Sequence, residues 1–227
     1  MDKQDRIIIS IYIIWAVVVF SVTFITKGFD PDNITHFLII IFFLAQLALF
    51  PLIKVISKMF TPKLIFITLA VIFAALVEGF YMLTNPVFKS LKFTAGMSFE
   101  KMLSNYLVDL IFTIPVYIVV FFVIWYFINR YDYKLWEYLI FISLGHAIGD
   151  GFFFFLASPI MIIFIPYVMI NYHAMNLVPF LLVNNKLKPK NKSWMKYVLP
   201  PIAIIILYLL SGMIINTVGQ LFALSFK

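Results

Sequence analysis

The 227-residue chain contains no cysteine and little charge, since only 12% of its residues are Asp, Glu, Lys or Arg. The lack of cysteine excludes disulfides, thiolate metal ligands and cysteine nucleophiles. A soluble domain carries about 25% charged residues, so this chain has too few to cover a water-facing surface. Hydrophobic residues make up 64% of the chain, and lipid is the solvent that such a composition requires.

Several motifs that would indicate an enzyme class are also missing. The H-E-x-x-H zinc pattern and the G-x-S-x-G nucleophile elbow do not occur in the sequence. We therefore predict no metal and no cofactor. The net charge of +7 comes mostly from lysines at the ends of apolar runs, where they set membrane orientation, so nucleic acid is not an expected partner.

Seven apolar runs follow one another, each near the length of about 20 residues that a transmembrane helix needs. They are Ile7–Thr26, Thr35–Ile56, Leu64–Thr84, Tyr106–Ile128, Leu135–Ala157, Ile160–Val183 and Tyr197–Phe226. The predicted fold is all-α, a polytopic membrane bundle of about seven transmembrane helices. No cleavage site follows the first run, which we predict to be a retained span.

The basic residues predict how the chain is oriented. With seven spans, twelve Lys and Arg residues lie on the side of the N-terminus: Lys3, Arg6, Lys54, Lys58, Lys63, Arg130, Lys134, Lys186, Lys188, Lys190, Lys192 and Lys196. The other side has five: Lys27, Lys89, Lys92, Lys101 and Lys227. The positive-inside rule then places the N-terminus in the cytoplasm. We expect the endoplasmic reticulum membrane in a eukaryote and the cytoplasmic membrane in a prokaryote.

Three acidic residues, Glu78, Asp109 and Asp150, fall inside the predicted spans. An acid at the centre of a membrane helix costs about 2.5–3.5 kcal/mol on insertion scales, so its presence calls for a compensating role. Counting residues from the predicted span ends puts all three in one layer, about 5–10 Å below the outer surface. We predict them to be catalytic residues of a buried pocket.

Further side chains are predicted to bind a ligand beside these acids: His146, Asn171, Tyr172, His173, Met175 and Tyr81. His146 lies one turn before Asp150 on the same helix face, and Gly145 and Gly149 around it permit another helix to approach closely. Two other interpretations remain open for this polar layer. It could join helices structurally, or it could form a path for ions or protons.

Four segments carry a resemblance to known families. Ala74–Phe80 (A-A-L-V-E-G-F) resembles the H-x-x-x-E-G-aromatic helix of emopamil-binding proteins, and Ser143–Asp150 resembles their S-V-G-Q-x-x-G-D helix. Asp109–Pro115 resembles the E-x5-P segment of the sigma-2 receptor family, and Asn171–Pro179 is similar to the last core helix of both. These families belong to the EXPERA-domain superfamily.

The resemblance implies an EXPERA-like membrane domain over residues 35–185, with its core in helices three to six. Residues 1–34 would then be an additional N-terminal transmembrane helix, and 186–227 a basic loop with an additional C-terminal helix. It implies binding of a sterol or isoprenoid lipid and double-bond transposition like that of 3-beta-hydroxysteroid Δ8–Δ7 isomerase. Glu78 and Asp109 match the two key acids of these isomerases, while Ala74 stands where the family has histidine.

Other functions stay open. A noncatalytic lipid-binding or trafficking protein of the sigma-2 receptor type fits the missing histidine. An aspartyl intramembrane protease would use Asp150 with Asp132, but the second acid is only 18 residues away and no P-A-L motif occurs. A proton-coupled carrier would use the acids as relay sites. The sequence also leaves a homodimer open.

Overall fold

The computed structural model describes residues 3–187 and 191–222, which form helices joined by short connections and contain no strand. The helices are α1 (Lys3–Lys27), α2 (Pro31–Ala48), α3 (Phe50–Ile56), α4 (Pro62–Tyr81), α5 (Phe99–Arg130), α6 (Leu135–Glu137), α7 (Ser143–Asp150), α8 (Phe152–Ala157), α9 (Ile165–Val183) and α10 (Leu199–Leu221). A π-helical turn at Tyr138–Ile142 joins α6 to α7. The predicted all-α class is confirmed.

Within residues 3–187 and 191–222, six helical segments are long and apolar enough to cross a membrane, which makes the chain a multi-pass membrane protein. They are Lys3–Lys27, Pro31–Ala48, Pro62–Tyr81, Phe99–Arg130, Pro159–Lys186 and Trp194–Leu221. The predicted fifth run, Leu135–Ala157, is not one of them, because a break at Gly151 divides it into shorter helices. The length of the helices therefore supports six spans, and the seventh stays a prediction.

Some helices begin or end at residues other than the predicted ones, because a capping residue or a proline sets the boundary rather than the end of the apolar run. Helix α2 begins at Pro31 rather than Thr35, since the side chain of Asp30 accepts a hydrogen bond from the Asn33 amide. It ends at Ala48, because Pro51 interrupts the predicted run and starts the separate helix α3.

Helix α5 is the longest helix and begins at Phe99, seven residues before the predicted Tyr106. The hydroxyl of Ser98 caps it by accepting from the amide of Lys101, so two polar turns precede the apolar run. The predicted end of the last run, Phe226, lies outside the described residues. Lys188, Lys190 and Lys227 of the charge count do so too.

Helix α9 is the centre of the bundle. It packs against α1, α2, α4 and α7, and all ten residues from 171 to 180 are buried. A helix buried on every side is expected to lack a polar face directed at water. The polar residues of α9 must therefore bond to other helices, and this requirement positions the candidate site.

Helices α7 and α10 pack closely through glycine. A Cβ atom on Gly145 would lie 2.8 Å from the Cα atom of Pro201, and one on Gly149 would lie 2.9 Å from the Tyr208 ring. The two contacts advance together along both helices, so α7 and α10 run in the same direction. The G-x-x-x-G pair thus serves packing within this chain.

Candidate functional site

Glu78, near the end of α4, is buried and faces α5. The hydroxyl of Tyr117 donates a short hydrogen bond to its Oε1 atom. The next residue, Gly79, leaves room for the ring of Tyr106, whose hydroxyl donates to the carbonyl of Ala75 at 2.6 Å. The carboxyl group is therefore held by Tyr117, while Tyr106 of the same helix binds the backbone of α4 nearby.

Asp150, the last residue of α7, is exposed, unlike Glu78. It nevertheless shares its surroundings with Glu78, because both carboxyl groups interact electrostatically with the same tyrosine side chains. The tyrosines that both acids influence are Tyr81, Tyr117 and Tyr208. The charge of Asp150 also acts on Tyr172. Each of these two predicted acids therefore acts electrostatically on the same three tyrosines.

His146 is completely buried and lies one turn before Asp150 on α7. Its Nδ1 atom lies 2.9 Å from the Tyr208 hydroxyl, and its Nε2 atom lies 3.4 Å from the amide nitrogen of Asn176. Its ring stacks on Tyr172 with 4.6 Å between centroids. The imidazole is therefore fixed on both nitrogens and on one face.

Asn171 links α9 to α4. Its amide group donates a short hydrogen bond to the Tyr81 hydroxyl, which also lies 3.4 Å from Nε2 of His36. Its Oδ1 atom is buried and has no hydrogen-bond partner among residues 3–187 and 191–222. Asn171 thus offers one acceptor that the described protein groups do not use.

We refer to the residues gathered here as the tyrosine cluster. Its members are Glu78, Tyr81, Tyr117, His146, Asp150, Asn171, Tyr172 and Tyr208. They come from α4, α5, α7, α9 and α10. The cluster therefore needs five helices in place before it exists.

His173 and Met175 have other surroundings. The two ring nitrogens of His173 lie 2.7 Å from the hydroxyl of Tyr12 and 2.9 Å from that of Ser143, so the residue ties α9 to α1 and α7. Met175 is buried in the apolar core. Their predicted ligand contacts remain a prediction, and both have a packing role in the structure.

Asp109 is fully buried and holds the connection between α4 and α5. Its Oδ1 atom accepts a hydrogen bond from the amide of Val87 at 2.8 Å. It precedes Tyr117, the partner of Glu78, by eight residues, or about 12 Å along the helix axis. Its predicted catalytic role is untested, and the contact seen is one that stabilises a loop.

Two cavities lie at the surface of the bundle. One of about 630 Å³ is lined by Lys63, Phe122, Trp125, Tyr126, Asn129 and Arg130. The other, of about 260 Å³, is lined by Gly79, Phe93, Phe99, Met102, Leu103 and Tyr106. Neither includes a predicted site residue in its lining, although the second lies against α4 immediately after Glu78.

The sequence interpretation missed Tyr117 and Tyr208, which contact Glu78 and His146 directly. A signal was present, because a tyrosine inside an apolar span must find a partner for its hydroxyl. Their positions in two separate runs gave no indication that they meet.

In the described part of the chain, no group of three or more His, Asp or Glu residues could hold a metal ion. Comparisons with protein-family models, with curated proteins and with solved structures find no match for this chain. The resemblance to the EXPERA superfamily therefore stays a prediction that rests on the residues quoted above.

Proposed function

We propose that the chain crosses the membrane seven times, with the segment from α6 to α8 as the fifth crossing. The direction of this segment supports the proposal. At its start, Glu137 of α6 binds Lys196, which lies just before α10. Further along, Gly145 and Gly149 of α7 contact successive turns of α10, so the segment runs parallel to α10. The continuous part, residues 135–150, has a length of about 24 Å. This topology keeps the basic residues in the arrangement that the positive-inside rule favours.

The proposed function is the binding of a sterol-like or isoprenoid lipid at the tyrosine cluster. The observation that supports it is Asp150, an exposed carboxyl group at the end of α7 whose charge acts on Tyr172 and Tyr208. Ionisable groups at such positions are costly and usually mark functional sites. A lipid with an apolar skeleton and one hydroxyl would suit this place.

The hydroxyl of such a lipid has a specific acceptor available. The Oδ1 atom of Asn171 is buried beside Tyr81 and accepts no hydrogen bond from the described residues. A lipid hydroxyl that donates to it would satisfy a polar atom that otherwise costs about 1–3 kcal/mol. The ring faces of Tyr172 and Tyr208 would supply apolar contact. The ligand is thus defined by one hydroxyl and a flat apolar body.

Double-bond transposition is the second candidate function, and the action of both Glu78 and Asp150 on the same tyrosines, Tyr117 and Tyr208, favours it. A protonated carboxyl group would add its proton to one alkene carbon, and the other carboxylate would remove a proton from a carbon next to the cation. Atoms and charge balance without a cofactor. Aromatic faces and a carboxylate would stabilise the intermediate cation.

Lipid analysis of purified protein tests the binding function. We expect a sterol or isoprenoid lipid to copurify with the wild type and to fall about tenfold in Asn171→Ala, since the replacement removes the acceptor. Glu100→Gln, an acid change at the exposed start of α5, is the matched control and should keep the lipid. Equal lipid content in all three proteins would refute the binding site.

The isomerase function has a separate assay. Wild-type protein incubated in D₂O with a Δ8 sterol should shift the double bond and incorporate deuterium, and Glu78→Gln should not. A bound lipid with no deuterium uptake by the wild type would refute isomerisation and leave the noncatalytic binding function.

A further inference from the structure

A second site lies at the opposite end of the bundle from the outer loops, where α4 begins and α5 ends. It is the open groove of about 630 Å³ described above. Lys63 is the second residue of α4, and Arg130 is the last residue of α5. Two cations from two helices therefore meet at the membrane end that carries most of the basic residues.

Neither cation forms a salt bridge with the part of the chain that the structure describes. Among the described residues, no carboxylate lies within 4.0 Å of Lys63 or Arg130. Lys63 lies over the ring of Phe122, with 4.8 Å from Nζ to the ring centroid. Arg130 donates to the Tyr126 hydroxyl, which occupies one of its five N–H donors. Both keep donors available for an anion.

The aromatic residues of the groove are arranged for a membrane interface. Phe122 and Tyr126 are exposed and lie one turn apart on α5, and Trp125 lines the groove between them. Trp and Tyr are enriched at the boundary between hydrocarbon and head groups. Asn129 adds a polar side chain in the last turn of the helix. The groove thus changes from apolar to cationic toward the membrane surface.

We propose that this groove binds the head group of an anionic phospholipid, with the phosphate between Lys63 and Arg130. Basic pockets between helices at the cytoplasmic side suit such head groups. The aromatic residues would contact the upper acyl chain. A free phosphate ion shares the charge chemistry, but it would use neither the aromatic surface nor most of the groove volume. The site is separate from the tyrosine cluster and does not depend on it.

Native mass spectrometry of the full chain in detergent tests the proposal with phosphatidylglycerol and phosphatidylcholine as probes. We expect the wild type to prefer phosphatidylglycerol. Lys63→Gln and Arg130→Gln should each weaken its binding about fivefold, equivalent to about 1 kcal/mol per basic group. Lys186→Gln removes an exposed cation at the same membrane end, outside the groove, and should bind as the wild type does.

Three results would overturn the proposal. The first is equal binding of the two lipids by the wild type. The second is an equal loss in the Lys186→Gln control, which would indicate only a general effect of charge. The third is displacement of phosphatidylglycerol by inorganic phosphate at matched concentration, which would assign the groove to the free ion. Circular dichroism and gel filtration of each variant exclude loss of the fold as the cause.

Discussion

From the contact between α7 and α10 we predict that replacing glycine by alanine changes the stability in opposite directions at two positions. Gly145→Ala adds a methyl group 2.8 Å from the backbone of Pro201, which a side-chain rotation cannot relieve. Gly212→Ala adds the same group in the middle of α10, where no atom lies within 4 Å. Both changes favour the helical backbone to a similar degree.

The expected magnitudes follow from these distances. Replacing glycine by alanine inside a helix stabilises it by about 0.5–1 kcal/mol, and Gly212→Ala should show this gain. Overpacking typically costs about 1–3 kcal/mol, so Gly145→Ala should be less stable by about 1–2 kcal/mol after the helix gain is subtracted. For a chain of this size, 1 kcal/mol corresponds to about 2–4 °C, so we expect a rise in Tm of about 1–4 °C and a fall of about 2–8 °C.

Thermal unfolding of the two purified variants in one detergent, followed by circular dichroism, measures the difference. The comparison is internal, because detergent and lipid act on both proteins alike. A Gly145→Ala protein as stable as the wild type would show that α7 and α10 do not approach as described. A loss of stability in Gly212→Ala would show that this position is packed against something, for instance a second copy of the chain.

Two further predictions concern buried polar contacts. Lys196→Met leaves Glu137 without the cation 2.6 Å from its carboxylate, and we expect the free energy of unfolding to fall by about 3–5 kcal/mol. Adding Glu137→Gln should recover part of this loss in denaturant unfolding. No recovery would contradict the ion pair. Asp109→Ala removes the acceptor for the Val87 amide, so limited proteolysis within residues 82–98 should become faster. Asp109→Asn keeps an oxygen acceptor and is its control, and equal cleavage of both would contradict the loop-anchoring role.

Composition and apolar runs predicted the all-helical membrane class, because a chain with so little charge has no other solvent. They did not predict the break at Gly151 or the π-helical turn after Glu137, since both lie inside an apolar run and interrupt it without a change of polarity. The early start of α5 was missed for the opposite reason. Its first turns are polar, and only the Ser98 cap signalled a helix.

The candidate site was predictable in part. Helix rise converts residue number into depth, which is how the sequence grouped Glu78 with Asp150; both acids act electrostatically on the same three tyrosines. Depth alone does not say which way a side chain points. Asp109 therefore reaches a loop amide, and Tyr117 and Tyr208 enter the cluster from helices whose faces could not be assigned from the sequence.

The burial of α9 on every side has a consequence for how the protein is made. Between residues 171 and 180 this helix contains two asparagines and a histidine, which lipid alone would solvate poorly. Its neighbour His146 bonds to Tyr208 of α10, which is synthesised after α9. During biogenesis, this part of the surroundings of α9 is therefore complete only after α10 has been made.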